Sequence, residues 1–305
     1  MKIDLNFNFS NEWYKNTVYE LLEKYPFLSV RSIGKSVMGE DILCLIAGYG
    51  EKKVFINGAH HANEWITTPL ILNFLDNYLN AYKTGGKIYS YDVRELFMSA
   101  TIFLVPLVNP DGAELVCGNI EKESSWFENA CKIASSYPSV NFPDGWKANI
   151  EGVDLNLNYP ALWTKAKEVK GKMGICSPSP RDFAGDYPLC APEARAIYDF
   201  SLQNSFDMTL SYHTQGKVIY WKYLDFETPG AQMIAQELSR VSGYKAEIVP
   251  TESGYAGYKD WFISCYNRPS YTIEAGEGES PLPLSQFDEI LDSNMRLILC
   301  ALSLV

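Results

Sequence analysis

The run ATIFLVPLV, residues 100–108, constrains this chain more than any other stretch. A continuous apolar run without a charge, rich in β-branched residues, is satisfied where both faces of a strand are covered, so it predicts a buried central strand. DILCLIAG (41–48) and KKVFING (52–58) read as two more strands around a turn at Tyr49–Lys52. DMTLSYHT, KVIYWKY, KAEIVP and PSYTIEAG read as further strands. Apolar residues at helical spacing predict a helix over 11–24, stopped by Pro26, and another over 70–82, with Thr68 as N-cap and Pro69 at its first position. Similar patterns cover 192–204, 229–242 and 284–301. Strands alternating with helices predict an α/β fold, a parallel or mixed sheet covered on both faces. The segment 109–190, rich in Gly, Pro, Asn and Ser, reads as long loops of the kind that build sites in such folds. With no repeat or charged linker, residues 1–305 are expected to be one domain, 1–30 being a helical lead-in.

At 47% hydrophobic residues the chain can bury a sizeable core. A net charge of −11 and a pI near 4.9 argue against nucleic acid or an anionic membrane as partner. The N-terminal MKIDLNFNFSNEWYKN has no apolar signal-peptide core, and no run of 18 apolar residues occurs, so neither a signal peptide nor a transmembrane helix is expected. The seven cysteines are odd in number and scattered, and Cys44 and Cys300 lie in apolar surroundings. Buried free thiols in a reducing cytoplasm are the expectation.

Only three histidines occur, and two of them stand together in NGAHHANEWITTPL, residues 57–70. His61 and Glu64 follow a strand and precede a helix, the place where ligands collect in open α/β sheets. Their i, i+3 spacing brings both to one side of a turn, as two ligands of one metal require. His213 ends the apolar strand DMTLSYH at the same edge. Two imidazoles and a carboxylate make a zinc site with a position left for water, whereas a lone histidine there would be a hydrogen-bonded core residue. Glu274 follows another strand and can take a proton from water at such a site.

The order HANE (61–64), NPDG (109–112), GVDLN (152–156), LSYHTQ (210–215) and TIEAG (272–276) resembles the zinc carboxypeptidase A-like family from about residue 30 to the C-terminus. The resemblance implies a three-layer α/β/α sandwich around a mixed eight-stranded sheet, with one zinc ion per chain. It implies His61, Glu64 and His213 as ligands and Glu274 as general base. Asp154 would accept the other ring N–H of the first histidine, fixing its tautomer. His60 lies outside the motif and reads as a supporting or structural residue.

The chain departs from the family at its anchor points. Asn156 remains, but Leu157 stands where the family has the arginine that clamps a terminal carboxylate, and leucine makes no charge-assisted contact. Lys147 replaces the arginine that steadies the oxyanion, so Lys147 is the expected oxyanion helper. In register, Glu252 falls where the family has a mobile tyrosine, and Tyr255 is a substitute out of register. Lys259, before Asp260, suits a substrate with an acidic group beyond the scissile bond. HHANEWITTP, NPDGAELV, WKANIEGVDLNLNYPA, YHTQGKVIYW and GYAGYKDWFI resemble the bacterial γ-D-glutamyl-L-diamino-acid endopeptidase subgroup. That resemblance implies a peptidoglycan-type peptide as substrate, bound through Asn156, Lys259 and Tyr255; the scattered cysteines and the missing export signal make a cytoplasmic enzyme the expectation. A carboxypeptidase with an unusual clamp and an inactive wall-peptide-binding module are the alternatives; the retained ligands and base argue against the second.

Overall fold

A computed structural model describes residues 8–250 and 254–305. The chain enters through α1 (Asn11–Lys24), the antiparallel pair β1 (Ser29–Lys35) and β2 (Asp41–Ala47), then β3 (Lys52–Gly58) and α2 (Thr67–Thr84). A short ladder of β4 (Lys87–Ile88) and β5 (Tyr91–Asp92) leads through α3 (Val93–Ser99) into β6 (Ala100–Val105). Four helices follow, α4 (Pro110–Val116), α5 (Ser125–Ser135), α6 (Trp163–Lys172) and α7 (Pro192–Asn204). Then come β7 (Met208–His213), β8 (Val218–Tyr220), α8 (Ala231–Ser242) and β9 (Lys245–Glu247). The chain closes with α9 (Tyr258–Tyr266), β10 (Ser270–Glu274) and α10 (Phe287–Ser303).

Eight strands form one mixed sheet in the order β1-β2-β6-β3-β7-β10-β8-β9. Its centre, β6-β3-β7-β10, is parallel, while β2 joins β6, and β8 joins β10, antiparallel. Period-two alternation sorts the side chains into two layers. Val54, Ile56, Ile102, Leu104, Leu210 and Ile273 pack under α1, α2, α3, α8 and α10. Phe55, Phe103 and Val105 pack on the opposite face against α7 and α9. This is the expected three-layer α/β/α sandwich with a mixed eight-stranded sheet. The run 100–108 is central as expected, with its strand ending at Val105 because Pro106 has no N–H for the ladder.

On the α7–α9 face the sheet turns polar toward the far ends of β3, β7 and β10. Asn57, Ser211, His213, Thr272 and Glu274 occupy the alternate positions there, where Val or Ile would otherwise complete the core. Glu274 pairs in register with His213, so both side chains share that face.

Several local expectations are corrected. Thr68 caps nothing: α2 starts at Thr67 behind a 3₁₀ turn over Ala62–Glu64, and the Thr68 hydroxyl donates to the Pro106 carbonyl at 2.8 Å. The segment 109–190 is not only loops, since α4, α5 and α6 lie in it. Trp146, Ala148, Ile150, Leu115 and Ala130 form a small separate core beneath it. Lys259 lies inside α9. Among the described residues no helix is long and apolar enough to cross a membrane. All seven cysteines are free, with Cys44 and Cys300 buried.

Glu193, fully buried at the start of α7, accepts hydrogen bonds from the Val37 N–H and the Asn149 side chain, both at 3.1 Å. Burial pushes its carboxyl up to about 7 although these bonds pull it back. The folded state therefore holds a proton that the unfolded chain releases from about pH 4.5 upward, and stability from this group is full below that pH and lost as pH rises to about 7. Wild type should lose on the order of 3 kcal/mol across this window that Glu193→Gln keeps. Denaturant unfolding of both proteins at pH 5 and pH 8 checks this; parallel pH profiles would contradict it.

Candidate metal centre

His61 is placed by the way β3 ends. At Gly58 a Cβ would meet Ile71 Cδ1 at 2.8 Å and Thr67 Oγ1 at 2.9 Å, so only glycine lets the start of α2 pack on the strand end. Ala59 then turns in the left-handed region, φ 53°. The Thr67 hydroxyl accepts from Ala59 N–H at 2.8 Å and donates to the Glu64 carbonyl at 2.9 Å, tying strand end and turn together. That 3₁₀ turn presents His61 and Glu64 side by side, while β7 delivers His213 from the neighbouring strand.

The three side chains converge. His61 Nδ1 lies 3.0 Å from Glu64 Oε1, and His213 Nδ1 lies 2.9 Å from Glu64 Oε2. The two Nδ1 atoms are 3.3 Å apart. Two imidazole nitrogens bound at about 2.0–2.1 Å to a tetrahedral zinc ion would stand about 3.3–3.4 Å apart, so the spacing fits. Donor atoms from His61, Glu64 and His213 all lie within 4.8 Å of one another, the one such cluster among the described residues. Two nitrogens and one carboxylate are also the donor set of an open, hydrolytic zinc site rather than a closed structural one.

Around the donors stands a supporting layer. Asp154 Oδ1 lies 3.1 Å from His61 Nε2 and accepts its N–H, leaving Nδ1 with its lone pair toward the cluster. Asp154 is itself held by the backbone N–H groups of Asp182 (3.0 Å) and Asn156 (3.2 Å). Burial lowers the His61 imidazole, but the Glu64 and Asp154 carboxylates outweigh it and hold the ring up to about 9, a field that favours a cation. His60 is fully buried, with Nε2 2.9 Å from the Tyr159 hydroxyl and its ring stacked on His213 at 5.8 Å. It is the supporting residue expected. In NPDG, Asn109 braces the centre from below, donating to the carbonyls of His60 (3.2 Å) and Ala148 (3.0 Å). A Cβ on Gly112 would strike that Asn109 side chain at 2.6 Å, which accounts for the glycine.

Lys147, one-fifth exposed, donates to Glu64 Oε1 at 2.9 Å; burial lowers its pKa, yet the Glu64 carboxylate outweighs this and keeps the ammonium charged. Glu274 shares a cavity of about 360 Å³ with His61, Lys147, Asp154 and Asn156. Burial pushes its carboxyl up to about 8, with the Glu64 charge adding to the rise. Leu157, Lys259 and Asp260 line the same cavity. Lys259 is only 4% exposed, with Nζ 2.5 Å from Asp260 Oδ1 and 3.0 Å from the Lys222 carbonyl, so it is no solvated surface lysine. Asn156 Oδ1 accepts from the Tyr258 N–H at 3.1 Å, joining the GVDLN turn to α9. Tyr255 is half-buried and lines neither this cavity nor its neighbour, and Glu252 lies outside the described residues. Arg181 was not singled out from the sequence. It lines this cavity and a second one of about 600 Å³, and nothing in its Ser- and Pro-rich surroundings marks it.

An α/β/α sandwich carrying an open N,N,O donor set at the strand ends, with a half-buried carboxylate beside it, defines a metal-dependent hydrolase. The family model described as zinc carboxypeptidase matches residues 14–296, and the chain belongs to that family. It is a metallopeptidase, and the family's zinc fits the three donors described above. The chain is 41% identical over 297 residues to γ-D-glutamyl-L-diamino acid endopeptidase 1 of Lysinibacillus sphaericus, covering 97% of this chain and 73% of that protein. It is 37% identical over 287 residues to the Bacillus subtilis protein YqgT, covering 93% and 74%. Carboxypeptidase A of Helicoverpa armigera shares the fold, with a TM-score of 0.70, 20% identity and coverage of 98% and 74%.

Proposed function

We propose that this protein is a monozinc peptidase that hydrolyses γ-D-glutamyl-diaminopimelate-type bonds in peptidoglycan stem peptides or muropeptides. The observation that carries this reading is the near end-to-end similarity to an endopeptidase of that name. Leucine at position 157 supports it, because a carboxypeptidase needs a cation where that side chain lines the cavity.

His61, Glu64 and His213 would hold one zinc ion per chain. When bound, zinc supplies Lewis acidity that polarises the scissile carbonyl and makes water more acidic. Glu274 takes the proton of the attacking water and passes it to the amine that leaves. Lys147 donates toward the oxygen on which negative charge develops, in a buried setting where such a contact is strong. Asp154 keeps His61 in the tautomer that binds the metal. Lys259 and Asp260 together offer a cation and an anion, which match the carboxylate and ammonium of the diamino acid's distal head; Asn156 lines the same cavity, and Tyr255, which lines neither cavity, has no part in this reading. Residues 1–305 act as a single catalytic unit, and seven unpaired thiols support work in the reducing cytoplasm.

The test compares kcat/KM for L-Ala-γ-D-Glu-meso-diaminopimelate with that for a hippuryl-type C-terminal substrate. At least about a tenfold preference for the tripeptide is expected, given the missing clamp. A preference for the simple C-terminal substrate would support the carboxypeptidase alternative, and tight binding without turnover would support the inactive module.

A further inference from the structure

Two cavities flank the metal donors, and Lys147 and Arg181 line both. The cavity of about 360 Å³ runs to Lys259 and Asp260, where the proposed function puts the diamino acid that leaves. The cavity of about 600 Å³, bounded by Asn63, Thr214 and Ser280, is then left for the acyl half. A γ-linked glutamyl group carries one charge that an α-linked neutral residue lacks: its α-carboxylate stays free, a short aliphatic tether away from the scissile carbonyl. The acyl-side wall needs a cation to recognise it.

Lys147 and Arg181 are the cations on that wall among the described residues. Lys147 is engaged by Glu64. Arg181 is nearly uncommitted: its Nε reaches Asp182 Oδ2 at 3.3 Å, and that carboxylate is already bound by Lys170 through its other oxygen at 2.6 Å. The side chain is 46% exposed and lines both cavities, so donors remain for a ligand there. Its backbone, by contrast, is anchored to the metal centre. Asp182 N–H donates to Asp154 Oδ2 at 3.0 Å, and the Pro180 carbonyl accepts from Lys147 N–H at 2.7 Å and Ala148 N–H at 3.0 Å. The Ser179 hydroxyl donates to the Arg181 carbonyl. A loop held this way fixes the root of the Arg181 side chain at the wall shared by the two cavities.

We propose that Arg181 recognises the free α-carboxylate of a γ-glutamyl acyl group, so that the enzyme selects its acyl donor as well as its leaving group. This rests on the γ-D-glutamyl reading given above. A guanidinium meets a carboxylate through two parallel N–H donors, a contact that an α-linked neutral residue does not offer. The two acids on the same wall, Asp144 and Glu279, are solvent-exposed and suit the ammonium of a residue preceding the glutamate.

The experiment uses zinc-loaded full-length protein and two peptides, L-Ala-γ-D-Glu-meso-diaminopimelate and its D-isoglutamine counterpart, in which a carboxamide replaces the α-carboxylate. Wild type should favour the carboxylate peptide by about tenfold or more in kcat/KM, the scale of a lost charge-assisted hydrogen bond. In Arg181→Gln that ratio should collapse toward one, and Arg181→Lys should keep part of it, since lysine retains charge but not the fork. Because the ratio compares two substrates on one protein, a loss of folded protein cancels. Equal use of both peptides by wild type, or an unchanged ratio in Arg181→Gln, overturns the assignment of Arg181 while leaving the γ-glutamyl reading intact. Cleavage of neither peptide by wild type overturns that reading and this inference with it.

Discussion

His213→Ala should purify with almost no zinc, where the wild type should carry about one ion per chain, and peptidase activity should vanish with the metal. The expectation follows from the donor count. An open site has three protein ligands, and removing one leaves His61 and Glu64, a pair on a single turn that cannot enclose an ion. His213 is also the donor that comes from a separate strand, so it closes the site across the sheet. Its ring is 2% exposed, and no other histidine is placed to substitute: His60 is turned toward the Tyr159 hydroxyl. Elemental analysis of dialysed protein, with circular dichroism to show that the fold survives, decides the point. Full zinc retention in the variant would show the ligand set to be wrong.

Glu274→Gln should separate chemistry from binding. The amide keeps the shape of the side chain and its place beside His213 in the β7–β10 register, but cannot accept a proton from water. Turnover should fall by roughly 10²–10⁴, the usual contribution of a general base, with zinc content and substrate affinity retained. Burial and the neighbouring Glu64 charge raise the Glu274 carboxyl toward neutrality, as suits a group that both takes and returns a proton. Near wild-type turnover would remove Glu274 from the mechanism. Loss of zinc together with activity would instead make it a support of the metal site.

The donors were legible in the sequence because they stand where chain geometry is simplest. His213 and Glu274 end apolar strands, and period-two alternation puts both on one face. His61 and Glu64 sit on one turn just after a strand. The supporting carboxylate at 154 was legible only through the family resemblance, for its contact with His61 spans a distance in sequence that no local pattern reports. Local competition hid the rest. Thr68 has the chemistry of an N-cap, yet an earlier 3₁₀ turn and the Pro106 carbonyl claim that region instead. Nothing near Lys259 in sequence shows that α9 buries it against Asp260 and the Lys222 carbonyl. The helices of 109–190 were masked by the Gly, Pro and Ser between them, and α6 in particular is highly charged, with only Ala166 buried. Arg181 gained its position from backbone bonds to Pro180 and Asp182, which leave no mark on residue type.

Which bond is cut separates an endopeptidase from a carboxypeptidase. The tetrapeptide L-Ala-γ-D-Glu-meso-diaminopimelyl-D-Ala offers a γ-glutamyl bond in its interior and an ordinary terminal residue in one molecule. Incubated with zinc-loaded protein and read by mass spectrometry, it should yield L-Ala-D-Glu and diaminopimelyl-D-Ala. Release of D-Ala with the γ-glutamyl bond intact would contradict the account.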